Sequence, residues 1–297
     1  LNDVYTYRGP AAGFPPVPQA SGSPHPITAF LIMIYILTPA FVLQSLWAPL
    51  DILPLGFGLW DSLGTVIGVM VPAFLVVAAL HGRAGIRDLA SRSLRWRVAP
   101  RWYFIALFAL PAGVVLCASA IYGMAPLAAL GAKGSLFFTL LLPDFLIRLV
   151  LFNLPEEIGF MGFLQSRLQD QHGPLKAVIL TEIPFALWHI PDVFLQTEGE
   201  FSSALLVFGV FTVAQFFGRV VIMWLYNNTL RSVFLVGLFH AAHNTTINRF
   251  TDAFIPGPAE IGFFITEGIV MAAAVLLLVF TKGRLSYRPD QVERTNG

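Results

Sequence analysis

The chain has 297 residues, of which 56% are hydrophobic and only 12% are charged. Soluble domains carry about 25% charged residues, so this composition excludes an ordinary water-soluble domain and indicates a polytopic membrane protein. The formal net charge of +1 gives no sign of nucleic-acid binding, and the single cysteine, Cys117, excludes a disulfide bond within the chain.

The first 26 residues are rich in proline, glycine and serine. Such a composition does not build an apolar core, so we expect residues 1–26 to form a disordered tail. Apolar stretches of the length that a bilayer requires, roughly 20 residues each, follow. They predict a transmembrane domain over residues 27–281 and a cytosolic tail over residues 282–297. The predicted spans cover residues 27–47, 63–81, 102–122, 136–157, 174–190, 204–226, 232–250 and 259–280.

The expected fold class is an all-α membrane protein, a bundle of about eight transmembrane helices around an intramembrane polar chamber. Between the fourth and fifth spans, residues 158–173 predict an amphipathic helix at the membrane interface that ends at Gly173. The loop from Arg83 to Arg101 holds six arginines and a single acid, and the positive-inside rule places it in the cytosol. Both termini are then cytosolic, and we expect the protein in the plasma membrane of a bacterium.

Two adjacent acids, Glu156 and Glu157, lie inside an apolar stretch. A carboxylate in hydrocarbon is expensive and usually lines a protected polar cavity where it has a function. His189 lies on a later span, and His240 and Asn244 share one helix face on another because they are four residues apart. A carboxylate beside an imidazole can activate water, and an imidazole with an amide can donate to an oxyanion. The set predicts a hydrolytic centre.

These polar residues also have alternative interpretations. The two glutamates can form a buried pair that arginine or backbone groups satisfy, and a single histidine in a membrane helix more often packs than catalyses. Glu182, seven residues before His189 and on the same face, is an alternative to Glu156 as the acid. His243, three residues after His240, can also lie close to the site.

Four further charged residues in the spans are expected to have structural roles. Asp144 and Arg148 are four residues apart, so the simplest prediction is that they pair with each other. Arg219 and Glu267 are single charges in late spans, and we expect each to be paired or to lie near the interface.

Three short motifs follow one another on separate predicted spans: Glu-Glu-x-x-x-x-Gly from residue 156, Phe-x-x-x-His from residue 185 and His-x-x-x-Asn from residue 240. Together they resemble the CPBP intramembrane proteases, which are the type II CAAX prenyl proteases and their bacterial bacteriocin-processing and Abi-like relatives. The resemblance runs from about residue 63 to residue 280. Each motif alone is weak, and it is the ordered set at these spacings that is specific.

The resemblance implies a role for each of five residues. Glu156 and His189 would activate the attacking water, and Glu157 would support the first acid. His240 and Asn244 would form the oxyanion site. We therefore predict an intramembrane endopeptidase acting on membrane-associated substrates, either CAAX-type prenylated proteins or bacteriocin-like peptides. The expected partners are a peptide or lipidated-protein substrate and membrane lipids, without nucleic acid.

One position departs from the family pattern, which usually has arginine four residues after the second glutamate, where this chain has Met161. Arg148 or Arg167 is the expected substitute for the missing charge. Met161 also supports a rival interpretation, an inactive protease relative that binds a partner without cutting it. A second rival is a proton-coupled transporter in which Glu156, Glu182, Glu267 and the histidines form a relay. Transporters often contain internal repeats, and this sequence has none.

The use of a metal is a separate question. The chain lacks the His-Glu-x-x-His motif of zinc proteases. Glu156, His189 and His240 would nevertheless supply three zinc ligands, with water as the fourth. We expect a metal-free, glutamate-based mechanism without a cofactor, and this zinc site is the alternative.

Overall fold

The computed structural model describes residues 25–47 and 53–289. The predicted tail of residues 1–26 lies almost wholly outside the described residues, as does the last part of the tail predicted from residue 282. All secondary structure in the described ranges is helical. The longer helices are α1 (His25–Trp47), α2 (Leu59–Ser93), α3 (Pro100–Tyr122), α4 (Ala125–Ala132), α5 (Phe137–His172), α6 (Pro174–Trp188), α7 (Ile190–Gln196), α8 (Phe201–Asn228), α9 (residues 233–254) and α10 (Ala259–Thr281).

Six of the described helices are long and apolar enough to cross a membrane, namely α1, α2, α3, α5, α8 and α10. Helices α6 and α7 are bent by 46° relative to each other and make a seventh span if they are counted as one. The predicted class, an all-α polytopic membrane protein, is confirmed, whereas the count of eight spans is not. The remaining predicted span, residues 232–250, is helical within α9, but its two histidines, two asparagines and one arginine make it less apolar.

Helices α8 and α9 begin at capping side chains. The Glu200 carboxylate accepts hydrogen bonds from the backbone N–H groups of Ser202 at 3.1 Å and Ser203 at 2.6 Å. Hydrogen bonds from these two serines lower the pKa of Glu200 to about 2. At the start of α9 the Ser232 hydroxyl accepts from the Leu235 N–H at 3.1 Å. Because first-turn N–H groups have no partner inside the helix, these caps fix where both helices begin.

Helix α5 is one continuous element of 36 residues, Phe137–His172. The prediction of a membrane span that ends at residue 157, followed by a separate interfacial helix over residues 158–173, was therefore wrong. Every residue of Ile158–Gln165 is buried, since other helices cover the face that the sequence suggested was exposed. The predicted end is confirmed, because Gly173 follows α5 with φ 80°, a conformation that favours glycine.

The middle of α5 departs from regular α-helix on both sides of the acid pair. Residues Arg148–Asn153 and Ile158–Gln165 are π-helical, and only Leu154–Glu157 between them is α-helical. Pro155 contributes because it has no N–H to continue the hydrogen-bond ladder. Single π-helical turns are rare and are frequent at functional sites, where they redirect side chains.

Helix α9 is the centre of the bundle and contacts α2, α3, α4, α5, α8 and α10. Its close approach to α5 depends on Gly237, where an added Cβ would lie 3.1–3.2 Å from atoms of Leu154 that include the backbone Cα. Leu154 lies just before the acid pair, and Gly237 is three residues before His240. The small residue therefore brings the histidine helix against the glutamate helix at the level of the acids.

A buried arginine connects α5, five residues after the acid pair, to two neighbouring helices. Arg92 of α2 donates from Nη1 to the Gly162 carbonyl at 2.8 Å and to the Tyr226 hydroxyl at 3.0 Å. Its Nε and Nη2 donate to Asp88 at 3.0 and 2.7 Å. Each of the three guanidinium nitrogens therefore donates to a defined acceptor. These bonds hold α2, α5 and α8 in fixed relative positions.

Candidate active site

The acid pair lies near the middle of α5 and is enclosed by other helices. Glu157 is fully buried, and Glu156 is 7% exposed. At about 1.5 Å per residue, roughly 25 Å of helix separates the pair from either end of α5. Two carboxylates at this depth need partners, because an unpaired charge in the interior is strongly unfavourable.

Glu157 takes its partners from two other helices. Arg219 of α8 donates from Nη1 to both carboxylate oxygens, at 3.1 Å to Oε1 and 2.9 Å to Oε2. His240 Nδ1 of α9 lies 2.9 Å from the same Oε1. The Glu157 carboxylate therefore connects α5, α8 and α9, and three contacts engage both of its oxygens.

Glu156 has a different environment although it is the adjacent residue. Its Oε2 lies 3.8 Å from His240 Nδ1, beyond hydrogen-bonding distance. The side chain of Asn153, one turn earlier, also contacts its carboxylate. Of the two acids, Glu156 is the more exposed and the less engaged, so it is the one with lone pairs available to a water molecule.

His189 lies at the bend between α6 and α7. Its Nδ1 is 2.9 Å from the Phe185 carbonyl oxygen. Because a carbonyl only accepts, Nδ1 carries the proton, and Nε2 is the free nitrogen of the neutral ring. Phe185, Trp188 and Phe211 enclose the ring at centroid distances of 4.6, 4.6 and 4.7 Å. The described contacts of His189 include no hydrogen bond to either glutamate.

His243 and Asn244 form a second polar group beside the first. His243 Nε2 lies 2.9 Å from Glu267 Oε1 of α10, and its Nδ1 lies 3.3 Å from Asn244 Oδ1. The expected pairing of Glu267 is confirmed. Asn244 shares a helix face with His240, as the four-residue spacing predicts, but its described side-chain hydrogen bond is to His243.

The expected pair between Asp144 and Arg148 is confirmed, at 2.7 Å from Arg148 Nε to Asp144 Oδ2. Arg249 and Thr245 of α9 also bind this aspartate, at 3.0 and 2.9 Å. Arg167 donates to the Phe163 carbonyl at 3.0 Å. Neither of the arginines expected to replace the missing family charge therefore contacts the acid pair through a described bond.

The arginine that does contact the acid pair, Arg219, was expected only to be paired or near the interface. Its pairing is confirmed, and it is with Glu157. The signal available in the sequence was a lone arginine inside an apolar 28-residue helix. Opposite charges buried in separate membrane helices are expected to meet, because neither is stable there alone.

Glu182 is buried in α6, and neither of its carboxylate oxygens has a hydrogen-bond partner within residues 25–47 and 53–289. Arg219 Nε and Nη2, Trp188 Nε1 and Thr181 Oγ1 are also buried without a partner among the described contacts. Buried polar atoms are normally hydrogen-bonded to protein or ordered water.

The residues predicted as zinc ligands do not fit a zinc site. Within residues 25–47 and 53–289, no three histidine, cysteine, aspartate or glutamate side chains converge as a metal site would require. His189 and His240 each direct Nδ1 to a protein oxygen, and Glu156 Oε2 lies 3.8 Å from His240 Nδ1, which already faces Glu157. The three predicted ligands therefore do not form a metal site in this arrangement.

A cavity of about 780 Å³ lies between α8 and α10. Its walls are almost entirely apolar, and several of its side chains, such as Leu206 and Phe264, are more than half exposed on the outside of the bundle. The cavity does not include Glu156, His189 or His240. Glu267, the partner of His243, is one of the residues that line it.

Comparison with known families agrees with this geometry. A family described as type II CAAX prenyl endopeptidase Rce1-like matches residues 138–246. This match confirms the predicted family. The matched segment contains the acid pair, Arg219 and Asn244, together with His189, His240 and His243, whereas Glu267 lies outside it. It indicates a protease of the CAAX type in general. No curated protein shows significant similarity to the chain.

The different engagement of the two acids predicts different effects on stability. Glu157→Gln should lower the free energy of unfolding by about 3 kcal/mol, because it leaves Arg219 as a buried, unpaired cation. Glu156→Gln is the matched control and should change it by less than about 1 kcal/mol, since Glu156 has no ion pair at hydrogen-bonding distance. Unfolding of the purified protein in detergent measures both, and equal losses would contradict the assignment.

Proposed function

We propose that the protein is an intramembrane endopeptidase that hydrolyses a peptide bond of a membrane-associated substrate with a water molecule held by Glu156 and His189. The observation that carries this proposal is the contrast within the acid pair. Both oxygens of Glu157 are engaged by Arg219 and His240, whereas Glu156, next to it and 3.8 Å from His240, keeps a less engaged carboxylate. The Rce1-like match supports the reaction class.

In the first step the attacking water loses a proton to the Glu156 carboxylate. Its oxygen forms a bond to the carbonyl carbon, and the carbonyl electron pair moves to the oxygen. The other O–H of the water donates a hydrogen bond to His189 Nε2. This nitrogen is free because Nδ1 donates to the Phe185 carbonyl. A base and an orienting acceptor at hydrogen-bonding distance are what general-base catalysis requires.

The oxyanion that forms needs preorganised donors, for which we propose His240 and the Asn244 amide. His240 Nδ1 already faces Glu157, so donation from Nε2 requires the doubly protonated ring. Glu157 supplies the opposite charge for that form. When the tetrahedral intermediate collapses, the C–N bond breaks, the proton on Glu156 passes to the leaving nitrogen, and a carboxylic acid and an amine are released.

Several features support a substrate that is attached to the membrane. The acid pair lies far from both ends of α5, so a peptide must enter the bundle to reach it. We infer a CAAX-type or other membrane-associated peptide or lipidated protein as the substrate class, on the basis of the family match. The arginine-rich segment from Arg83 to Arg101 supports its placement on the cytosolic side. We propose a bacterial plasma membrane as the location, with both termini cytosolic if the number of spans is even.

Cleavage of a membrane-associated peptide by the purified protein tests this function. Glu156→Ala, His189→Ala and His240→Ala should each reduce cleavage by at least about 1,000-fold, because each removes a group that acts on the water or the oxyanion. Glu182→Ala is the matched control, a buried membrane glutamate without a role in the proposed chemistry. Thermal unfolding should show that each variant is folded.

Retention of cleavage in Glu156→Ala, or its loss only in Glu182→Ala, would contradict the proposed roles. A wild-type protein that binds the peptide and does not cut it would instead favour the non-catalytic relative.

We further propose that the reaction is metal-free, since the predicted ligands do not converge on one point. Incubation with a chelator followed by its removal should leave the initial rate of cleavage within about twofold of the untreated value. If the chelator abolishes activity and added zinc restores it, this proposal is wrong. Glu156, His189 and His240 would then be the expected zinc ligands.

A further inference from the structure

We propose that Arg219 is a positioning residue of this site, which fixes the orientation and charge of Glu157 and, through it, the ring of His240. It would supply from α8 the positive charge that the chain lacks at position 161 of α5. The proposal rests on the proposed function, because positioning is defined by its effect on the cleavage reaction.

The first support is the geometry of the contact. The Arg219 and Glu157 side chains are 1% and 0% exposed. Nη1 bonds both carboxylate oxygens, so rotation of the carboxylate would break at least one of two hydrogen bonds. Oε1 is then held 2.9 Å from His240 Nδ1. The position of the arginine therefore decides where the histidine finds its acceptor.

The second support is that the Arg219 guanidinium packs against two aromatic rings. Its Cζ lies 4.0 Å from the ring centroid of Phe185 and 5.8 Å from that of Phe160. An aromatic face attracts a guanidinium without using its N–H groups. The backbone carbonyl of the same Phe185 accepts from His189 Nδ1, so one residue braces the arginine and orients the second histidine.

The third support is the charge balance of the acid pair. Two neighbouring carboxylates in a protected interior repel each other, and one is forced to take up a proton unless a cation is close. Arg219 places a cation against Glu157, which reduces the repulsion that a negative charge on the adjacent Glu156 would meet. The other candidate arginines are committed elsewhere, Arg148 to Asp144 and Arg167 to the Phe163 carbonyl.

Position 161 provides an internal test of this idea. Met161 is fully buried and lies four residues after Glu157 on α5, within reach of it along one helix face. An arginine placed there would approach the same carboxylate from its own helix. If the charge near Glu157 is what matters, the helix that supplies it is interchangeable.

The test is the steady-state kinetics of peptide cleavage by purified variants. Arg219→Met should lower kcat by about 100-fold with KM within about threefold, because the interaction acts on the reacting groups and not on the peptide. Arg219→Lys should lose only about tenfold, since an ammonium keeps the charge but not the fixed two-oxygen contact. Met161→Arg added to Arg219→Met should recover at least about tenfold in kcat.

The matched control is Arg167→Met, which removes an arginine of similar length that does not contact the acids, and it should keep wild-type kinetics. Glu157→Gln combined with Arg219→Met separates positioning from folding. It removes both buried charges, so it should unfold near the wild-type temperature while kcat stays at least about 100-fold low.

Wild-type kcat in Arg219→Met, or in the charge-free double variant, would overturn the positioning role while leaving the endopeptidase function intact. Failure of the proposed function has a different signature, which is cleavage retained by Glu156→Ala. If Arg219→Met does not fold, the lysine variant and the double variant decide the question.

Discussion

A carboxylate shared by an arginine and a histidine from two other helices is the interaction on which the site depends. Glu157 is fully buried and bonds Arg219 of α8 and His240 of α9 at 2.9–3.1 Å. Three charged or polar groups lose their hydration when they are buried, so the contact is favourable only as a complete set. Its completeness fixes the relative positions of three helices and orients one catalytic candidate.

This contact explains why the two adjacent glutamates have different environments. Neighbours on an α-helix point about 100° apart, and the π-helical turns on either side of Leu154–Glu157 change the local direction of α5 further. One carboxylate is thereby turned into the ion pair, and the other stays less engaged at 3.8 Å from the same histidine. Adjacent residues of the same type thus have different surroundings, which supports the proposed roles of Glu157 as a structural anion and Glu156 as a base.

Sequence reasoning identified the parts that depend on composition and on spacing within a helix. Membrane carboxylates and histidines are conspicuous because they are costly there, and the Asp144–Arg148 pair follows from four-residue spacing. The partnership of Arg219 and Glu157 spans 62 residues and depends on how α8 packs against α5, which no local pattern encodes. The continuity of α5 was missed for a related reason. Residues 158–165 resemble an interfacial segment until neighbouring helices bury them all.

The most direct test of the central claim is a double-mutant cycle on the free energy of unfolding with Glu157→Gln and Arg219→Met. If the two side chains form the buried ion pair, each single change leaves a charge unpaired, and the double variant should be at least about 2 kcal/mol more stable than the sum of the single losses predicts. Losses that add to within about 0.5 kcal/mol would show that the residues are independent, and the account of the site would then be wrong.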